Sequence, residues 1–137
     1  MALKLEFLDA NGNPTGQYVS TGDMTLPLQT THWMNLGDGR DVAVVKVRVV
    51  NDDPTNYEYY NVVLDASDTD PAAGASTSWF TFRFVGDTTW LASLAVGTVL
   101  TNSNAIEVKV QPPSTTSAGT YTDVKLRLTY DELDLNA

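Results

Sequence analysis

The sequence predicts an all-β chain folded as one antiparallel β-sandwich, Ig-like or jelly-roll-like, of about seven to eight strands. Three observations lead there. Short segments alternate apolar and polar residues with the period that sends successive side chains to opposite faces of a strand. Clusters of Gly, Pro, Asn and Asp separate these segments, as turns do. A single segment, residues 88–100, spaces its apolar side chains so as to admit a short helix or an irregular crossover.

In chain order, Leu3, Leu5 and Phe7 alternate with Lys4 and Glu6 and form the first strand. Asp9-Ala-Asn-Gly-Asn-Pro14 turns the chain, and residues 17–21 return as a short strand. Asp9, Asn11 and Asn13 have the spacing of a calcium loop. Pro14 stands where that loop needs glycine and Ser20 where it needs a bidentate glutamate, so a plain hairpin turn is expected. Pro27, flanked by Leu26 and Leu28, marks an edge strand or a packing loop, and residues 36–40 form a turn. Residues 41–50 carry the strongest strand signal. Ala43, Val45, Val47 and Val49 face the core, and Val44, Lys46, Arg48 and Val50 face outward. Two valines on that outer face suggest cover by a loop or a neighbouring subunit.

Asn51-Asp-Asp-Pro54 turns the chain into a strand over 57–65, with Tyr60, Val62 and Leu64 on one face and Tyr57, Tyr59, Asn61 and Val63 on the other. Residues 66–78 are small and polar and read as an exposed loop. In the strand over 79–85, Phe80, Phe82 and Phe84 point inward, while Trp79 and Arg83 share the outer face and can stack. Residues 105–111 and 124–130 read as a long-looped antiparallel pair whose Glu107, Lys109, Lys125 and Arg127 lie on one wet surface. The acidic residues 131–137 lie along the surface or fray. Without an internal repeat or a linker, residues 1–137 make one domain.

Composition narrows the function. Eight basic residues stand against 17 acidic ones, a net charge of −9, which disfavours counterion-displacing contacts with nucleic acid. The chain has no cysteine, so neither disulfides nor thiolate metal sites are available. No apolar run is long enough for a membrane helix, and the first residues read as a strand rather than a signal peptide. Most Lys and Arg fall on outward strand positions and most Asp in turns, the pattern of cross-strand pairing plus turn chemistry. The sharper alternative is that basic strand faces dock on an acidic partner.

Nothing in the sequence assembles a catalytic set. His32, the lone histidine, has no serine motif or cysteine to activate, and with Asp23 or Asp38 it makes a weak metal site. The adjacent carboxylates Asp52/Asp53 and Asp131/Glu132 fit turns better than a glycosidase pair. The expectation is a protein that is not an enzyme, with no catalytic, cofactor-binding or metal-ligating residues. Trp33, Tyr57, Tyr59 and Trp79 are candidates for stacking on a sugar ring in an alternative reading as a carbohydrate-binding adhesin module, although packing between sheets uses the same residues.

Three pieces carry a family resemblance. Thr31-His32-Trp33 through Gly37-Asp38-Gly39-Arg40, then Val47 to Pro54, then Tyr59-Tyr60-Asn61-Val62 together resemble small β-sandwich structural proteins of tailed bacteriophage virions. Residues 117–124, Ser-Ala-Gly-Thr-Tyr-Thr-Asp-Val, resemble the penultimate turn and last strand of many bacterial and phage Ig-like sandwiches. The resemblance implies a non-enzymatic virion part assembled in the bacterial host cytoplasm: a capsid decoration (cement) protein, or a tail, neck or baseplate component. Its partners would be the major capsid protein or other virion proteins, and further copies of itself in a homo-oligomer, without nucleic acid or membrane. Leu3, Leu5, Phe7, Val44, Val50, Trp90 and Leu94 are the candidate interface, where edge strands and outward apolar residues would be buried against neighbours.

Overall fold

The computed structural model describes residues 3–19, 25–27, 43–68, 76–111, 113 and 124–137. Among them are nine strands: β1 (Leu3–Leu8), β2 (Pro14–Tyr18), β3 (Thr25–Pro27), β4 (Ala43–Asn51), β5 (Tyr57–Asp68), β6 (Phe80–Phe84), β7 (Ser93–Val99), β8 (Ile106–Val110) and β9 (Val124–Asp134). They form a five-stranded sheet in the order β2-β1-β4-β8-β6 and a four-stranded sheet in the order β3-β9-β5-β7. Every strand pair is antiparallel. The chain is therefore the all-β sandwich that its alternation predicts. His32, Trp33, the 36–40 turn and most of the 117–124 motif lie outside the described residues.

The core follows from the alternation. Leu3 and Leu5 of β1, Val47 and Val49 of β4, Phe80 and Phe82 of β6, and Ile106, Val108 and Val110 of β8 point inward from the larger sheet. Tyr59, Val62 and Leu64 of β5, Leu94 and Val99 of β7, and Val124, Leu126 and Leu128 of β9 meet them from the smaller one. Removing such side chains from water is the main force holding the two layers together.

Several expectations need correction, among them the exposed loop from residue 66, since β5 runs on to Asp68. Residues 88–100 form no helix: Ser93–Val99 is strand β7, paired with β5. Residues 106–110 and 124–130 are not a pair, because β8 lies in the larger sheet beside β4 and β6, whereas β9 lies in the smaller one beside β5. Their charged faces therefore look out from opposite sides of the sandwich. Strand β9 runs on through Asp134, so the acidic residues continue the sheet opposite Tyr57–Tyr60. In β5 the strict alternation breaks: Tyr60 pairs with Asp131 and Val63 with Thr129, leaving one extra residue in β5. Such a bulge shifts inside and outside by one position. Tyr59, expected opposite Val62 and Leu64, consequently joins them inside.

The hairpin between β1 and β2 is the plain turn expected. The Asp9 carboxylate accepts from the backbone N–H of both Asn11 and Asn13 at 2.9 Å. The backbone bond from Asn13 leads the causes that hold the Asp9 carboxyl below its ordinary value, working against desolvation.

Candidate interaction surface on the five-stranded sheet

Register assigns the outer face of the larger sheet. Lys4 and Glu6 of β1 pair with Val50 and Arg48 of β4. Further along, Val44 and Lys46 pair with Lys109 and Glu107 of β8, which in turn pair with Thr81 and Arg83 of β6. Five of the seven Lys and Arg in the described residues stand on this face: Lys4, Lys46, Arg48, Arg83 and Lys109.

The face is braced by charge pairs. Arg83 Nε donates to Glu107 at 3.0 Å and Arg48 Nε to Glu6 at 2.7 Å. Glu6 is 4% exposed, and its second oxygen accepts from Gly16 N–H at 3.1 Å, so this buried carboxylate is satisfied on both sides. Lys4 reaches Asp52 at 2.8 Å, and Lys46 donates to the Ala10 carbonyl at 2.9 Å. Cross-strand pairing of outward charges, expected from the sequence, is what the structure contains.

One corner is different. The chain leaving β6 turns back so that the Trp90 ring lies 4.1 Å from the Arg83 guanidinium carbon and 4.6 Å from Lys109 Nζ. Both distances are within cation–π range. Thr81, cross-strand from Lys109, has its Oγ1 shielded from solvent and bonded to no described group. Beside it Val44 is 49% exposed, and a groove of about 380 Å³ opens between β4 and the β1–β2 turn, lined by Leu8, Asp9, Ala10, Val44, Val45 and Lys46. At the other margin of the sheet, Lys4 Nζ stands 5.1 Å from the centre of the Tyr18 ring.

The structure divides the candidate interface residues. Val44, Val50 and Trp90 share this outer face. Leu3, Leu5 and Leu94 are buried in the core, and Phe7 packs partly against it, so these four are not a docking surface. The reason is register: Leu3, Leu5 and Phe7 pair with Asn51, Val49 and Val47, the inward positions of β4.

The described members of the sugar-stacking set, Tyr57, Tyr59 and Trp79, form no platform either. Tyr59 is fully buried and meets Tyr130 edge-on with ring centres 5.3 Å apart. Tyr57 is tilted 35° from Tyr59 rather than coplanar with it, and Trp33 lies outside the described residues. Trp79 is only 6% exposed, because a single 3₁₀ turn over Thr77–Trp79 precedes β6 and rotates its side chain inward. Strand alternation extrapolated backward through that turn puts the tryptophan on the wrong side, so Arg83 stacks on Trp90 and not on Trp79. Tyr18 was not among the candidates. Its signal is its place directly across from Glu6, which only the bulged hairpin register reveals.

Among the described residues, no group of His, Asp and Glu is arranged to hold a metal ion, and no helix is long and apolar enough to cross a membrane. Comparison of the chain with protein-family models, curated proteins and solved structures finds no match.

Proposed function

We propose that this chain is a non-enzymatic structural protein of a tailed-bacteriophage virion, a capsid decoration protein that binds and stabilises neighbouring capsid subunits and associates with further copies of itself. The observation that carries the binding part of this reading is the Trp90 corner. An aromatic ring, two cations, an exposed valine and a groove share one rigid sheet face. Aromatic residues and arginine are the side chains enriched where proteins meet, and a sheet presents them with little ordering cost. The virion setting is supported by the resemblance of Val47–Pro54 and Tyr59–Val62 to virion sandwich proteins.

The test is reconstitution on heads assembled without this chain. Saturable binding and a higher temperature of DNA release are expected, with binding weakened about tenfold or more by Trp90→Ala. Binding to tails and not to heads would make the chain a tail, neck or baseplate component. Binding to neither would end the virion reading.

A further inference from the structure

Half of the twelve Asp and Glu among the described residues fall in two short segments. Residues 51–61 and 128–137 contain Asp52, Asp53, Glu58, Asp131, Glu132 and Asp134 but no lysine or arginine. The pairing of β5 with β9 brings these two segments together at one end of the sandwich. Asp52 is engaged by Lys4. The other five bond neutral groups: Glu58 accepts from Tyr60 Oη, Glu132 from Tyr59 Oη, Asp131 from Asn61, Asp53 from Asn56, and Asp134 from the Asn136 N–H. Neutral donors orient a carboxylate without cancelling its charge. On the outer face of the larger sheet, by contrast, Glu6 and Glu107 are each matched to an arginine and leave cations in excess.

Lys4 stands at the acidic end of that face, but its Trp90 corner lies at the other end of β4. Val44 and Lys109 sit near the start of β4, and Asn51 at its end borders the acidic pole. The strand length between Val44 and Asn51 is roughly 23 Å at the usual rise per residue. Each end also carries apolar surface. The acidic pole exposes Leu133 (47%) and Leu135 (44%), and the basic end has the Val44 groove and the Trp90 ring.

From this complementarity we propose that the neighbour seated on the Trp90 corner is the acidic pole of a second copy of this chain. Asp131 and Asp134 face Lys109 and Arg83, and Leu133 or Leu135 enters the groove beside Val44. This deepens the binding reading above, on which it rests, by naming the partner of that surface. The contact joins two different patches, so it is heterologous and repeats head to tail into a ring or a row. Long-range attraction between the patches makes it sensitive to salt.

Analytical ultracentrifugation of the whole chain over a concentration series tests this. At low salt the average mass should rise with concentration, and added salt should reverse the rise. Asp131→Lys with Asp134→Lys, and separately Val44→Glu with Lys109→Glu, should each give a monomer, and mixing the two variants should restore association. Circular dichroism melts establish that each variant is folded. If the face variant does not fold, the pole variant and the salt series decide alone. A wild-type monomer under all conditions overturns the proposal, as does association indifferent to salt and to the pole substitutions. A closed dimer that mixing does not rescue overturns it too. A chain that binds heads but stays monomeric in solution would sink this proposal and leave the virion reading standing; self-association without head binding would do the reverse.

Discussion

Asn51 joins the two sheets at one end of the sandwich. Its amide donates to the carbonyls of Tyr57 at 2.8 Å and Leu100 at 3.0 Å, and its Oδ1 accepts from the Asp53 N–H at 3.0 Å. The residue is 4% exposed, so replacing it strands groups that water cannot reach. Asn51→Leu should cost about 2–3 kcal/mol in a urea titration, several times what an exposed asparagine costs. Two tyrosines nearby report on the acidic pole. A hydrogen bond to Glu58, and its charge, raise the Tyr60 phenol above the ordinary 10.0. Burial, then the charge of Glu132, raises Tyr130. A raised folded value favours the neutral phenol in the folded state. The associated stability is complete below pH 10.0 and is lost as pH climbs through the folded values. In an ultraviolet titration these two rings should ionise after an unperturbed tyrosine, and Glu58→Gln should return Tyr60 toward the ordinary value.

Strand β5 shows what a single inserted residue does. Asn61 adopts φ of 52°, a left-handed conformation that asparagine tolerates better than most residues, and its amide holds Asp131 at 2.8 Å. Gly97, across the ladder from Val62, has φ of 85°. Asn61→Val should cost about 1–2 kcal/mol through backbone strain, whereas Asn61→Gly should be close to neutral, a contrast that thermal melts resolve. The strands β1, β4, β6, β8 and the first part of β9 were legible because each turns alternate residues toward the core, with the exception of Glu6 and Leu8 in β1, which are buried as well. Positions near the bulge were not, since alternation carries no mark of an extra residue. Strand β7 was hidden for a different reason: as an edge strand it reads Ser-Leu-Ala-Val-Gly-Thr-Val, with only Leu94 and Val99 fully inside. The misjudged pairing of β8 with β9 has a topological cause. Consecutive strands of a sandwich often cross between sheets, and residue patterns carry no information about which partner a strand takes.

For the molecule as a whole, the aromatic and aliphatic contacts between layers set stability, and charge sets what the surfaces meet. Phe82, fully buried although it lies on the edge strand β6, should cost about 3–5 kcal/mol on replacement by alanine, by calorimetry or urea. Trp90→Ala should cost far less stability yet remove the docking corner, which separates a binding residue from a core one. That corner was only half visible from residue types. Val44 and Val50 stood out as apolar residues on a polar face. The meeting of Trp90 with Arg83 and Lys109 depends on a connection that doubles back over the sheet.

The same connection has a consequence for solubility. Before entering β7 it places Leu91 alongside Phe82, where the two exchange N–H···O bonds of 2.8 Å in both directions. The margin of β6 thus spends its backbone groups at Phe82 within its own chain and offers no template there for a stray strand. Copies of the protein that crowd together through side chains then find no free backbone groups at Phe82 to pair with. Shortening residues 86–89 would lift that guard, and the expected sign is thioflavin-positive aggregate from a chain whose core residues are all intact.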